Sequence, residues 1–311
     1  MPFAMVLDIL KECTERFSIV EVLGESSLAE CCRTSFTWSE IPGSLCLAMD
    51  KQYFLSAMDN ENIMGIIAPP AAVVRDHTHT KGIVVSSRAN DLFYYIHNLG
   101  IHRGRAGGEI IQPYIDPSAR IAPSAIIDKN VVIEENVIIY DNCIVRDGSV
   151  LGKNSVLYEN VIVGSEGFFS KVVQGEKIHV KHFGGVKIGS NCMIHASTNI
   201  ARSVNHGEYT ILGDNVHVGG SSNVGHDCRI EDNTDISVKV LLAGRVRIGK
   251  GCWIGASVSV SNAVSIGANA SIKIGSVVID DVEENGIVSG NFALPHSHNL
   301  KKFLKTKRDL R

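Results

Sequence analysis

The most constraining feature of the sequence is a run of aliphatic residues that recur at every sixth position. Nine such residues follow one another without a miss: Ile115, Ile121, Ile127, Ile133, Ile139, Val145, Leu151, Leu157 and Val163. The frame resumes at Ile188, Ile194 and Ile200, and then runs through Leu212, Val218, Val224, Ile230, Ile236, Leu242, Ile248, Ile254, Val260, Ile266, Ile272 and Val278. An α-helix repeats near 3.6 residues and a strand near 2, so neither explains a strict period of six.

A short, fixed period predicts a solenoid. We expect each hexapeptide to form one short strand and one corner, so that three hexapeptides complete a triangular coil of 18 residues. The aliphatic residue points inward, and the small or β-branched residue four positions later packs near the corner. Glycine and asparagine tolerate the tight corner backbone, and successive coils stack at about 4.8 Å. The sequence therefore predicts a mainly β fold, with a parallel β-helix over residues 109–290.

Two interruptions of the period predict loops. From Val163 to Ile188 the chain advances 25 residues, one more than four hexapeptides, so Phe169–Gly185 is expected to leave the coil. Between Ile200 and Leu212 the frame is kept, but His206 occupies an aliphatic position, so Ser203–Tyr209 is expected to bulge outward. Long loops on a solenoid tend to carry function.

The segments on either side of the repeat have a different pattern. Residues 1–108 predict a small α/β domain with helices at Met5–Phe17 and Asp91–Leu99 and strands at Ile63–Ile67, Ala71–Val74 and Gly82–Ser86. Residues 291–311 predict a short helical tail, basic from Lys301 onward.

Composition narrows the class of protein. Hydrophobic residues make up 44% and charged residues 20%, enough for a packed core. The net charge of −3 gives no general attraction for nucleic acid. No apolar run is long enough for a transmembrane helix, and Asp8, Lys11 and Glu12 interrupt the N-terminal stretch, which is unlike a signal peptide. Eight scattered cysteines without a CxxC pair predict reduced, mostly buried thiols in a cytoplasmic protein.

The sharpest candidate for chemistry is His226, two residues after an inward aliphatic position. The 18-residue period places Gly244 one coil above it and Glu208 one coil below, unless the bulge displaces Glu208. A neutral histidine can take a proton from an attacking amine, and a glycine can offer an unshielded N–H to a developing oxyanion. Spacing alone leaves two interpretations: an acyl-transfer base, or a surface histidine that caps a corner.

Other candidates are weaker. His179 and His182 lie in the excursion loop, where they either contact substrate or are solvated. Phe168 and Phe169 either line an apolar pocket or pin the loop to the coil. The pairs His77/His79 and His296/His298 lack a nearby carboxylate or cysteine set, so we predict no metal site. The sequence has no P-loop, dinucleotide fingerprint or nucleophile elbow.

These motifs resemble a known family. The segments Gly164–Phe168, Lys181–Gly189, Asn223–Ile230, Leu242–Gly244 and Gly255–Val258 are similar to those of the UDP-3-O-(3-hydroxyacyl)glucosamine N-acyltransferases of lipid A biosynthesis, hexapeptide-repeat enzymes, and the resemblance covers nearly the whole chain. It implies that the β-helix is left-handed, that His226 is the catalytic base and that Gly244 forms the oxyanion hole.

The resemblance also implies partners and binding residues. Such enzymes are homotrimers with active sites in grooves between adjacent β-helices, and their N-terminal domain helps to hold the uridine of a nucleotide sugar. We expect substrate contacts from Asp50, Tyr53, Glu166, Phe168, His182, Arg202 and Glu208. The cosubstrate is acyl carrier protein (ACP) or CoA carrying the acyl group, and no cofactor is bound. The basic tail could bind ACP, which is acidic in this family, or a phosphate of CoA. The alternative is that the tail is a solvated helix end.

The sequence departs from the family pattern at three places, which concern the acceptor and donor sides more than the catalytic base. Ala263 lies near the position of a second family histidine, Ala201 replaces an aspartate, and the tail is only about twenty residues long. They leave open a second function, a CoA-dependent acetyl- or short-chain acyltransferase on another nucleotide amino sugar, as in O-antigen or deoxysugar pathways. A third function, a non-catalytic trimeric solenoid scaffold, follows from the solenoid fold itself, although His226 and Gly244 in register argue against it.

Overall fold

The computed structural model describes residues 6–75, 80–100, 112–290 and 296–309. Within them an α/β domain is followed by a long β-helix and a final helix, as the sequence predicts. The predicted domain boundary near residue 108 lies outside the described residues.

The α/β domain is built on one five-stranded sheet. Its helices are α1 (Val6–Cys13), α2 (Glu25–Glu30), α3 (Lys51–Asp59) and α4 (Ala89–Leu99), and its strands are β1 (Ile19–Leu23), β2 (Arg33–Ser35), β3 (Ser44–Leu47), β4 (Ile63–Ala68) and β5 (Gly82–Ser86). The spatial order is β1-β5-β4-β3-β2, parallel except for β1 beside β5.

Two of the strand predictions and the second helix prediction are confirmed in this domain, but one strand prediction is wrong. Residues 71–74 form no strand; they follow a turn closed by a 3.0 Å hydrogen bond from the Ala72 N–H to the Pro69 carbonyl. Pro70 has no N–H to donate to a ladder, so the chain cannot extend the sheet there. The first helix ends at Cys13, earlier than predicted.

The β-helix consists of three parallel sheets, one for each side of the predicted left-handed triangular coil. The first contains β6 (Tyr114–Ile115), β9 (Val132–Ile133), β12 (Ser149–Leu151), β17 (Gly185–Ile188), β20 (Tyr209–Leu212), β23 (Arg229–Ile230), β26 (Arg247–Ile248) and β29 (Ser265–Ile266). The second contains β7 (Arg120–Ile121), β10 (Ile138–Ile139), β13 (Val156–Leu157), β18 (Met193–Ile194), β21 (His217–Val218), β24 (Asp235–Ile236), β27 (Trp253–Ile254), β30 (Ser271–Ile272) and β32 (Ile287–Val288). The third contains β8 (Ile126–Ile127), β11 (Ile144–Val145), β14 (Ile162–Ser165), β19 (Asn199–Ala201), β22 (Asn223–Val224), β25 (Leu241–Leu242), β28 (Ser259–Val260) and β31 (Val277–Val278).

The register confirms the period of the sequence. Ile139 pairs with Leu157 and Val224 with Leu242, each 18 residues apart. The inward aliphatic residues form one continuous core along the helix. Ile115 is the exception: it is half-exposed because it belongs to the first strand of the stack.

The corners of the coil repeat a left-handed backbone conformation. Between Asn136 and Asn285 most corners contain a residue with a positive φ, six residues apart within each uninterrupted run and most often an asparagine. Several of these asparagines hydrogen-bond to one another along the stack; the Asn136 Nδ2, for example, donates to the Asn154 Oδ1 at 3.2 Å. Asparagine adopts this conformation more readily than most residues.

Both predicted excursions leave the coil and meet the α/β domain. The first is a hairpin of β15 (Ser170–Val173) and β16 (Glu176–His179), and the second is the bulge between β19 and β20. Val173 and Val180 of the hairpin segment and Val204 of the bulge share a buried core with Leu92 and Phe93 of α4. The excursions therefore seat the α/β domain on the side of the β-helix.

The remaining features concern the tail and the cysteines. The last helix, α5 (His296–Asp309), exposes Lys301, Lys305 and Arg308. Among the described residues no helix is long and apolar enough to cross a bilayer. All eight cysteines are free and buried, as expected.

Candidate functional site

His226 lies at a corner of the β-helix, just after β22, and is only 8% exposed. Its Nδ1 lies 2.7 Å from the Oδ2 of the adjacent Asp227. An ionised carboxylate only accepts hydrogen bonds, so Nδ1 is the donor of this bond, and Nε2 is the acceptor nitrogen of the corresponding neutral tautomer. The structure therefore excludes the interpretation of His226 as an exposed corner cap.

Asp227 is held rigidly enough to orient that imidazole. Its backbone takes the left-handed corner conformation with φ 60°. The Ser203 hydroxyl donates to its Oδ1, as does the Val204 N–H at 3.1 Å, and its own N–H donates to the Thr210 Oγ1 at 2.9 Å. Burial alone would raise the pKa of this carboxyl, but the hydrogen bond and charge of His226 and the bonds from Ser203 and Val204 outweigh it, so the pKa is lowered. Asp227 is not among the residues predicted from the sequence, although its position directly after His226 could have indicated a contact with the imidazole.

Gly244 lies against the imidazole, one coil above it, where the period predicted it. A Cβ on Gly244 would stand 2.6 Å from the Nε2 and Cε1 of His226, so only glycine allows this approach. Among the described residues, no hydrogen bond uses the Gly244 amide N–H. The geometry confirms the pairing of the two residues, and the oxyanion role stays a prediction.

The rest of the imidazole is enclosed by the first excursion. The Phe169 ring stacks on it with centroids 5.6 Å apart and an interplanar angle of 10°. The His182 ring meets it edge-on at 5.2 Å. Phe168, the predicted substrate contact, is 90% exposed. The aromatic residue that stacks on His226 is Phe169.

His182 is buried, which corrects the picture of a solvated loop histidine. Its side chain has 0% exposure, and its Nδ1 lies 3.2 Å from the Glu166 Oε2. Burial, and next the neighbouring His226, lower the pKa of His182, so the ring is neutral near pH 7. The Nε2 of the exposed His179 lies 2.8 Å from the same carboxylate oxygen.

The side chains of Glu208 and Arg202 form hydrogen bonds within the protein. The Ser35 and Ser39 hydroxyls donate to the Glu208 Oε1, the latter at 3.1 Å, which ties the α/β domain to the bulge. Burial raises the pKa of Glu208. The Arg202 guanidinium donates to the Asp147 carbonyl. These contacts give both residues a role in holding the excursions in place.

Tyr53 and Asp50 lie at the start of α3. The Asp50 carboxylate accepts the Tyr53 N–H at 2.9 Å and so caps the helix. Tyr53 is 47% exposed, with its ring available for stacking on a base.

Ala263 occupies a corner two coils beyond Asp227. Its φ of 62° makes it the equivalent of Asp227 and Arg245. The pairing of Leu241 with Ser259 therefore puts Asn262, rather than Ala263, at the place equivalent to His226 and Gly244. Neither residue supplies the second histidine of the family that the sequence resembles.

Comparison with known proteins gives structural similarity only. No model of a protein family matches the chain, and no curated protein matches it. Among solved structures it is similar to a UDP-N-acetylglucosamine acyltransferase from Arabidopsis (25% identity over 57% of this chain and 71% of that chain, TM-score 0.39). It is also similar to a UDP-N-acetylglucosamine acyltransferase with 24% identity (63% and 79% covered, TM-score 0.46) and to the one from Campylobacter jejuni with 22% identity (55% and 72% covered, TM-score 0.45). At these TM-scores the fold rests on the strand pairing described above.

Proposed function

We propose that the protein is an N-acyltransferase that moves an acyl group, as a 3-hydroxyacyl thioester, to the amine of a UDP-linked amino sugar. The observation that carries the proposal is the environment of His226. Its Nδ1 is fixed by Asp227, its Nε2 edge faces Gly244, and the amide N–H of that glycine is unused among the described hydrogen bonds. A base beside an oxyanion donor is the arrangement that acyl transfer needs.

The reaction follows from these positions. The sugar amine attacks the thioester carbonyl while the His226 Nε2 takes the amine proton. The Gly244 N–H donates to the oxygen of the tetrahedral intermediate, and Asp227 stabilises the imidazolium that forms. The C–N bond forms in this attack. The carbonyl then re-forms from the oxyanion as the C–S bond breaks, and the imidazolium returns its proton to the departing thiolate. No other acid or base is needed for this balance.

The expected assembly is a homotrimer with the acceptor in a groove between two β-helices. Tyr53 would stack on the uracil, and the basic face of α5 would meet ACP or CoA. These placements come from the sequence resemblance and are part of the proposal, as is action in lipid A biosynthesis in the cytoplasm.

The test is amide formation by the purified chain with a 3-hydroxyacyl-ACP and UDP-3-O-acylglucosamine. We expect His226→Ala to lower kcat/KM by at least about 100-fold, because general base catalysis contributes 10²–10⁴-fold. The matched control is His217→Ala, an exposed histidine that also lies beside a carboxylate, 3.2 Å from Asp235. Near-normal turnover by His226→Ala would refute the assignment of the base.

A second candidate is a CoA-dependent acetyl- or short-chain acyltransferase on another nucleotide amino sugar. The specific observation in its favour is the corner at Asn262 and Ala263, which lacks the histidine that would orient a lipid A acceptor. Competition between acetyl-CoA and the long 3-hydroxyacyl donor discriminates the two, since preference for acetyl-CoA selects this candidate. Absence of turnover with every donor and acceptor would leave the third possibility, a trimeric scaffold.

A further inference from the structure

We propose that Glu166, His179 and His182 bind a divalent metal ion of the Zn²⁺ class. This site goes beyond the proposed acyl transfer and gives Glu166 and His182 another role than the substrate contact predicted from sequence. Each residue offers one ligand atom, and the three atoms all lie within 4.8 Å of one another. Imidazole nitrogen and carboxylate oxygen are ligands that Zn²⁺ prefers.

The distances suit a tetrahedral ion. With metal–ligand bonds of about 2.0–2.1 Å, two ligand atoms of a tetrahedral site are about 3.3 Å apart. The His182 Nδ1 lies 3.2 Å from the Glu166 Oε2, which already matches. The His179 Nε2 lies 2.8 Å from the same oxygen and would have to open by about half an ångström. Since the side chains of His179 and Glu166 are 48% and 52% exposed, neither is prevented from moving.

The buried histidine is a second, independent observation. Neither ring nitrogen of His182 makes a hydrogen bond to any of the described residues, although the side chain has 0% exposure. Buried polar side chains almost always have a partner, and one without a partner calls for an explanation such as an ion. The Glu166 Oε2 lies 3.2 Å from the Nδ1 without forming a hydrogen bond to it, so an ion bound by these two atoms would give the Nδ1 a partner.

The position of the three residues indicates what the ion would do. Glu166 follows directly on β14, His179 ends β16 and His182 precedes β17, so together they close the base of the hairpin excursion. The same base carries Phe169, which stacks on His226. Three protein ligands would leave a fourth coordination position of a tetrahedral ion open. The ion would therefore hold the hairpin closed beside His226.

The test uses the full chain without a histidine tag, stripped with a chelator, dialysed and titrated with Zn²⁺ alone by calorimetry. Co²⁺ absorption in the visible range reports the ligand geometry. We expect one ion per chain. Losing a residue that only supports a ligand costs about 10–100-fold in affinity, so His179→Ala, which removes a ligand itself, should weaken binding by at least about 100-fold. His179 is exposed, so this variant should fold, and Glu166→Gln should act in the same direction.

His217→Ala is the matched control, because His217 and Asp235 form an exposed histidine–carboxylate pair without a third ligand. It should bind Zn²⁺ like the unchanged chain. The proposal is overturned if the chain binds no ion, if His179→Ala binds as tightly as the unchanged chain, or if His217→Ala weakens binding equally. Since binding is measured without turnover, an inactive chain that binds the ion would refute acyl transfer and leave this site standing, and an active chain that binds none would do the reverse.

Discussion

Replacing Gly244 by alanine places a methyl group against the imidazole of His226. The added Cβ would lie 2.6 Å from the Nε2 and Cε1, whereas ordinary van der Waals contact begins at 3.4 Å, so the ring must retreat by about 0.8 Å. It cannot do so freely, because Phe169 stacks on one side and Asp227 holds Nδ1 at 2.7 Å. A misplacement of about 1 Å at a reacting group costs on the order of 100-fold in rate, or about 2.7 kcal/mol of activation free energy.

The assay is kcat/KM for acyl transfer together with the thermal unfolding midpoint. The chain should remain folded, since the φ of Gly244 is not in the left-handed region and overpacking costs only about 1–3 kcal/mol. The matched control is Gly220→Ala, at the same position of another corner, where the three atoms nearest to the new Cβ belong to the backbone of Ala196, with its carbonyl oxygen at 3.0 Å. If Gly244→Ala turns over as fast as Gly220→Ala, the close approach to His226 has no part in catalysis and the reasoning fails.

Three further predictions follow from the titratable groups. Asp227→Asn should lower kcat by about 10²–10⁴-fold. Because the pKa of Asp227 is lowered in the folded chain, its carboxylate adds stability above about pH 3.9, and this stability is lost as pH falls through the folded pKa. The free energies of unfolding from denaturant titrations near pH 7 and pH 3 should therefore differ less in the variant than in the unchanged chain. Burial raises the pKa of Glu208, so its ionised form opposes folding. The unfolding midpoint of Glu208→Gln relative to that of the unchanged chain should therefore rise as pH increases from about 4 to 7. An equal difference at both pH values would contradict this. All eight thiols are buried, and burial raises the pKa of Cys31 and of Cys228 to about 12. An aromatic disulfide reagent should therefore label no cysteine until denaturant is added. Rapid labelling of the native chain would contradict the packing.

The repeat could be predicted from the sequence because each hexapeptide requires one aliphatic residue at the same position. An inward side chain at every sixth residue cannot be mistaken for a helix or an ordinary strand, so the coil, its register and the pairing of His226 with Gly244 all follow from the period. Both interruptions were located for the same reason, since a break in a strict period is itself a signal.

The α/β domain was harder because its short elements depend on distant partners. The strands β2 and β3 have only 3 and 4 residues and gain their stability from pairing, which a local pattern does not record. The prediction at Ala71–Val74 failed because an apolar, β-branched stretch was weighed without the turn set by Pro69 and Pro70.

Within the site, the period predicted the pairing of His226 with Gly244 but not the residues around it. Asp227, Phe169 and the cluster of Glu166, His179 and His182 depend on how the hairpin folds back, and the period says nothing about residues that leave the coil. The hydrogen bonds of Glu208 to Ser35 and Ser39 cross from one domain to the other, at a separation of about 170 residues that no local pattern spans.

The left-handed corners have a consequence for how such a protein can change. Because the coil imposes the same backbone conformation at every sixth residue, the corner side chain is free to vary: asparagine at 233, aspartate at 227, arginine at 245 and alanine at 263 all share it. The orienting carboxylate of Asp227 thus stands at a position that other side chains also occupy in neighbouring coils. A solenoid of this kind can therefore present different side chains along one edge while its architecture stays the same.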